Sequence, residues 1–140
     1  EMRRLASLVA CLLLASCSYM PDLTLYNQTG RVLTLHLIKA PYAGTDPWTP
    51  YDLQLESGKR ARIESHEFSR VMVISSGGCD YDYGTRVTEL WKTSPAIVVQ
   101  IEPAFVMHLL SRDFSRPEVG RFRDGEAKGF PVQPVKTCRN

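Results

Sequence analysis

Past the first twenty residues, apolar and polar positions alternate in short runs. A half-buried β-strand requires this, because its successive side chains point to opposite faces. Leu23 and Leu25 flank Thr24 and lead into the turn cluster Asn27-Gln28-Thr29-Gly30. In residues 32–38, Leu33, Leu35 and Leu37 share one face, with Thr34 and His36 on the other. These two runs predict a β-hairpin. Residues 51–56 alternate again and stop at Ser57-Gly58. Residues 60–64 form a short polar strand suited to a sheet edge, and residues 71–74 are continuously apolar, as in a buried central strand. Residues 79–83 and 87–91 read as short strands or turns, and residues 97–101 and 105–110 as the last strong strands. No run beyond the N-terminal segment shows a helical period.

About seven to eight short strands at regular spacing predict an all-β fold, a single small antiparallel β-sandwich or barrel-like sandwich. The domain falls at residues 23–112. Residues 113–140 are broken by Pro117, Gly120, Gly125 and Gly129. They read as an extended C-terminal arm, with residues 130–135 as a final edge strand.

The N-terminal segment differs in kind. Arg3 and Arg4 precede an apolar stretch, residues 5–14, that has no polar face. A membrane-spanning helix needs about 20 apolar residues, so this stretch is too short to be one and has the build of a secretory signal. It ends in Leu14-Ala15-Ser16-Cys17. That run resembles the lipobox of bacterial lipoproteins: an apolar residue, two small residues, then cysteine. The resemblance implies removal of residues 1–16 as a signal peptide, a diacylglycerol on the Cys17 thiol, and an N-acyl lipid such as palmitate on the new amine. Leu8-Val9-Ala10-Cys11 fits the same pattern. Cleavage there would leave too few apolar residues after Arg4 for export, so Cys17 is the expected lipid site. Residues 17–22 are then a lipidated tether. Ser18, standing where an aspartate would imply retention at the inner membrane, implies the outer membrane and its periplasmic face.

Export changes the reading of the cysteines. With Cys11 removed and Cys17 lipidated, Cys79 and Cys138 remain, and in an oxidising compartment an even pair is expected to bond. The bond would tie the C-terminal arm back onto the domain. Neither cysteine has a CxxC neighbour or a nearby histidine, so no zinc site is expected.

Composition narrows the classes further. An apolar share of 44% and a charged share of 23% fit a globular domain and exclude wholesale disorder. The net charge of +2 falls to +1 once Glu1, Arg3 and Arg4 are lost, which argues against a nucleic-acid partner. From Arg112 onward seven basic residues face four acidic ones. This mild surplus suits a solvated strand, or else contact with anionic lipid or cell-wall polymer.

Candidate chemistry is sparse. His36 and His108 fall on the outward phase of their strands, and His66 lies in a polar turn. Asp80 and Asp82 share one face beside Tyr81, without the glutamate that would close a calcium loop. No G-x-S-x-G, H-E-x-x-H or phosphate-loop motif occurs. The expectation is a protein that is not an enzyme, with no metal and no cofactor beyond its lipid. The most suggestive segment is the loop of residues 41–51, with Tyr42, Trp48 and Tyr51 among prolines and a glycine. Trp48 either folds back to cap the core or joins Tyr42 and Tyr51 in a surface for a protein or a sugar ring. The expected function is a non-catalytic accessory or assembly subunit of an envelope complex. It would hold the membrane through its lipid and bind an envelope protein partner. A glycan or peptidoglycan binding module using the aromatic loop is the alternative, and a small periplasmic hydrolase ranks last.

Overall fold

In a computed structural model, residues 21–39, 47–68, 71–94, 96–110 and 129–140 are described. Cys11, Cys17, Ser18, Tyr42, residues 111–112 and residues 113–128 of the arm lie outside them. Nine strands occur among the described residues: β1 (Asp22–Asn27), β2 (Leu33–Lys39), β3 (Thr49–Leu55), β4 (Arg60–Glu64), β5 (Val73–Ser76), β6 (Cys79–Asp82), β7 (Ala96–Ile101), β8 (Met107–Leu109) and β9 (Val135–Cys138). They form two sheets, with orders β4-β1-β7-β8 and β3-β2-β5-β6-β9. The protein is a small all-β sandwich.

The alternation read from the sequence is the packing that forms. Leu23, Leu25, Ile63, Ile97, Val99 and Ile101 of one sheet are buried against Leu33, Leu35, Leu37 and Ile74 of the other. At about 25 cal/mol per Å² of apolar surface, each fully buried Leu or Ile contributes about 2 kcal/mol. Tyr81 of β6 also stacks flat on Phe105, in the β7–β8 turn of the opposite sheet, with ring centroids 3.8 Å apart. Phe105 holds a positive φ of 61°, a conformation a non-glycine residue rarely takes. Its main chain is fixed there by the Phe105 N–H donating to the Glu102 carbonyl oxygen and by the Tyr83 hydroxyl donating to the Phe105 carbonyl oxygen.

Several expectations are corrected. β1 and β2 do not form a hairpin, because they lie in different sheets. The Asn27 side chain turns the corner between them. Its Oδ1 accepts from the Thr29 N–H and hydroxyl, while its Nδ2 donates to the carbonyls of Arg31 and Leu55. This local bonding folds the chain across the end of the sandwich. The sandwich is not wholly antiparallel either: β1 pairs with β7 in parallel, from Asp22↔Ala96 to Asn27↔Ile101.

The central apolar strand begins at Val73, two residues later than the apolar run, and leaves Val71 partly exposed. Residues 87–91 are not a strand. Arg86–Leu90 form a single helical turn, here α1, that buries Val87. Leu90 and Trp91 follow at helical spacing and pack on the same core, which only a helix allows over so short a run. The last edge strand is β9, not residues 130–135. Val132 instead bridges Met107 of the other sheet. Residues 60–64 do form an edge strand, β4.

The two ends of the sandwich are unlike. One carries the tight turns after β1, β3, β5 and β7. The other receives the chain at Pro21 and carries Trp48, the 3₁₀ turn Ser65–Glu67 and α1. Two hydrogen bonds fix the entering chain: Ser65 N–H to the Pro21 carbonyl oxygen, and Trp91 Nε1–H to the Asp22 carbonyl oxygen.

Candidate functional site

Three features carry the polar and aromatic groups of interest. The first is the Cys79–Cys138 disulfide, with Cα atoms 4.0 Å apart. The two residues are direct partners of the β6–β9 ladder. Arg139 N–H donates to the Gly78 carbonyl oxygen in the adjacent pair, so the cysteines occupy a non-hydrogen-bonded position, where the strands approach closest. The strand it holds, β9, is exposed along its whole length.

The second is a polar row across the outer face of the five-stranded sheet. Asp52 Oδ1 lies 2.7 Å from His36 Nδ1, and His36 Nε2 lies 2.7 Å from Ser75 Oγ. The Ser75 hydroxyl donates to Asp80, and Arg139 approaches the second Asp80 oxygen at 3.6 Å. Strand pairing explains the row. Asp52 is directly opposite His36 and Asp80 directly opposite Ser75, while His36 reaches Ser75 diagonally through the Thr34↔Ser75 register. The Ser75 hydroxyl, and after it Arg139, hold the Asp80 carboxyl below the usual carboxylate range.

Asp52, His36 and Ser75 have the connectivity of an acyl-transfer triad, but the hydrogens run the wrong way for one. Carboxylate Asp52 only accepts, so His36 Nδ1 must donate to it. The Ser75 hydroxyl gives its single hydrogen to Asp80 and not to His36. Ser75 is also mid-sheet, where main-chain N–H groups point along the sheet to neighbouring strands and not above its hydroxyl. The row is a cross-strand polar lock.

The third feature is aromatic and lies at the Pro21 end. Trp48 is 55% exposed and does not cap the core; its ring meets His66 edge-on, with centroids 6.3 Å apart. Tyr51 is half-buried against the core, and its hydroxyl donates to Glu67 Oε1 at 2.6 Å. Burial, and then that hydrogen bond, pushes the phenol up to about 12. Glu67 Oε2 accepts the Glu64 N–H, so one carboxylate ties β3 to the 3₁₀ turn at the end of β4. His66 Nδ1 is buried and makes no hydrogen bond, although Glu64 Oε2 lies 3.4 Å away. Phe68 packs on Trp91 at 5.9 Å. Between the 3₁₀ turn and α1 lies an open cleft of about 370 Å³, lined by Ser65, Phe68, Thr85, Glu89, Trp91 and Lys92 among others.

Of the predicted aromatic trio, Trp48 is more than half exposed, Tyr51 is committed to Glu67, and Tyr42 is not among the described residues. The sequence reading placed His36 outward, as found, but missed its partners. Asp52 and Ser75 are separated from it by 16 and 39 residues, and only strand pairing joins them. No family model matches the chain, and no curated protein or solved structure is significantly similar to it.

Proposed function

We propose that this chain is an exported lipoprotein anchored through Cys17 to the outer membrane, with its β-sandwich facing the periplasm as a non-catalytic accessory or assembly subunit of an envelope complex. The run Leu14-Ala15-Ser16-Cys17, closing an apolar stretch headed by Arg3 and Arg4, carries this reading. The Cys79–Cys138 disulfide supports export, since such bonds persist in oxidising compartments. β9, which is exposed and at a sheet edge among the described residues, supports assembly, because a strand edge can accept a strand from a partner. The polar lock around His36 favours a structural use of the sheet face over chemistry on it.

Two measurements test the two halves. Mass spectrometry of the full-length gene product, taken from the membrane fraction, should find acyl chains on the Cys17 peptide. A Cys17→Ser variant should lose membrane retention; retention unchanged would remove the anchor. Mild detergent extraction should recover the protein with a specific envelope partner, and recovery always alone would remove the assembly role.

A further inference from the structure

We infer that the Pro21 end of the sandwich rests on the phospholipid headgroup layer, with Trp48 and the Trp91–Phe68 pair as its contacts. This rests on the lipid anchor proposed above and adds an orientation to it. The tether is short. Four residue steps separate Cys17 from Pro21, and an extended chain advances at most about 3.6 Å per residue, so Pro21 stays within about 14 Å of the lipidated residue. From there β1 runs away along the sandwich for six residues, about 20 Å, to the tight turn at Asn27. The end at Pro21 is held near the bilayer and the turn end is free to stand off it.

The placement of the tryptophans fits this end-on pose. Both tryptophans of the chain sit at the Pro21 end. Trp48 is more than half exposed, and Trp91, partly exposed, bonds the carbonyl of Asp22 next to the entry point. Tryptophan is favoured at headgroup depth, where its ring has an apolar body and a polar N–H. Exposed Lys92 borders Trp91, and exposed Lys39, the partner of Thr49 next to Trp48, ends β2 at the same level. Lys92 is placed to meet lipid phosphates. A side-on pose on the five-stranded sheet would press Asp52 and Asp80 to lipid.

The full-length gene product would be extracted from membranes in mild detergent, checked for the acyl chains on Cys17, and reconstituted into phosphatidylethanolamine–phosphatidylglycerol vesicles containing a lipid spin-labelled near its headgroup. In a Trp91→Phe variant, fluorescence reports Trp48 alone. A Trp48→Phe/Trp91→Phe/Val32→Trp variant reports from the opposite end, where Val32 is half-exposed. If that protein does not fold, Glu56→Trp in the exposed turn between β3 and β4 replaces Val32→Trp. Trp48 should be quenched several-fold more strongly than the opposite-end reporter. Equal quenching, or the reverse order, in acylated protein overturns the orientation and leaves the anchor standing. Absence of the acyl chains overturns both.

Discussion

The indole Nε1–H of Trp91 donates to the main-chain carbonyl oxygen of Asp22 at 3.0 Å, across 69 residues of sequence. This bond fastens the residue that closes α1 to the first residue of β1. It lies beside the Ser65–Pro21 bond, so the entering chain is gripped from two sides.

Trp91→Phe should keep most of the packing on Phe68 and lose the hydrogen bond. Its cost should be about 1 kcal/mol, the net value of one such bond. Urea unfolding would measure it. A loss above about 3 kcal/mol would mean that the indole has a packing role that phenylalanine does not reproduce.

Asn27 is fully buried, and its amide satisfies two carbonyls and two donors at the corner between the sheets. Asn27→Ala should cost about 3 kcal/mol, because several buried polar groups are left unpaired at once. Asn27→Asp should also destabilise, since its carboxylate would face the carbonyls of Arg31 and Leu55. A shift in the urea midpoint near zero for Asn27→Ala would refute the corner role.

The disulfide closes a loop with a sequence separation of 59. In the chain-entropy account a loop of about this size contributes up to ~4 kcal/mol. The Cys79→Ala/Cys138→Ala variant should unfold at lower urea by a comparable amount. Because β9 is exposed and the core lies elsewhere, limited proteolysis should cut first around residues 135–138. First cuts in β1 or β7 would show instead that the disulfide supports the core.

Asp80 offers a pH test. Its carboxyl is held below the ordinary value of 3.8 by the Ser75 hydroxyl and then by Arg139. A lowered folded-state value means that the stabilisation is present above the ordinary value and is lost as pH falls through the folded one. Asp80→Asn should therefore be less stable than the parent near neutral pH, with the gap closing below about pH 4. A gap independent of pH would assign the effect to packing, not to charge. Paired denaturation curves across pH would decide.

The candidate sites were only partly legible in the sequence. The outward placement of His36 follows from strand alternation, but its lock with Asp52, Ser75 and Asp80 depends on which strands adjoin. Trp48 and Tyr51 stood out as loop aromatics. That Glu67 would claim the Tyr51 hydroxyl could not be read, because Glu67 lies in the 3₁₀ turn that follows β4, a strand of the other sheet. α1 was missed because five residues are too few to show a helical period.

By itself the sequence determined the inward face of strands such as β2, where several turns fall, and the Cys79–Cys138 pair. Each of these follows from side-chain identity and local spacing. Only the tertiary structure decided that β1 and β2 part company at Asn27, that β1 runs parallel to β7, and that both tryptophans gather where the chain enters. The physical reason is that sheet ladders are made by main-chain N–H and C=O groups, which are the same in nearly every residue. Side chains therefore mark the buried face of a strand far more clearly than they mark its neighbour.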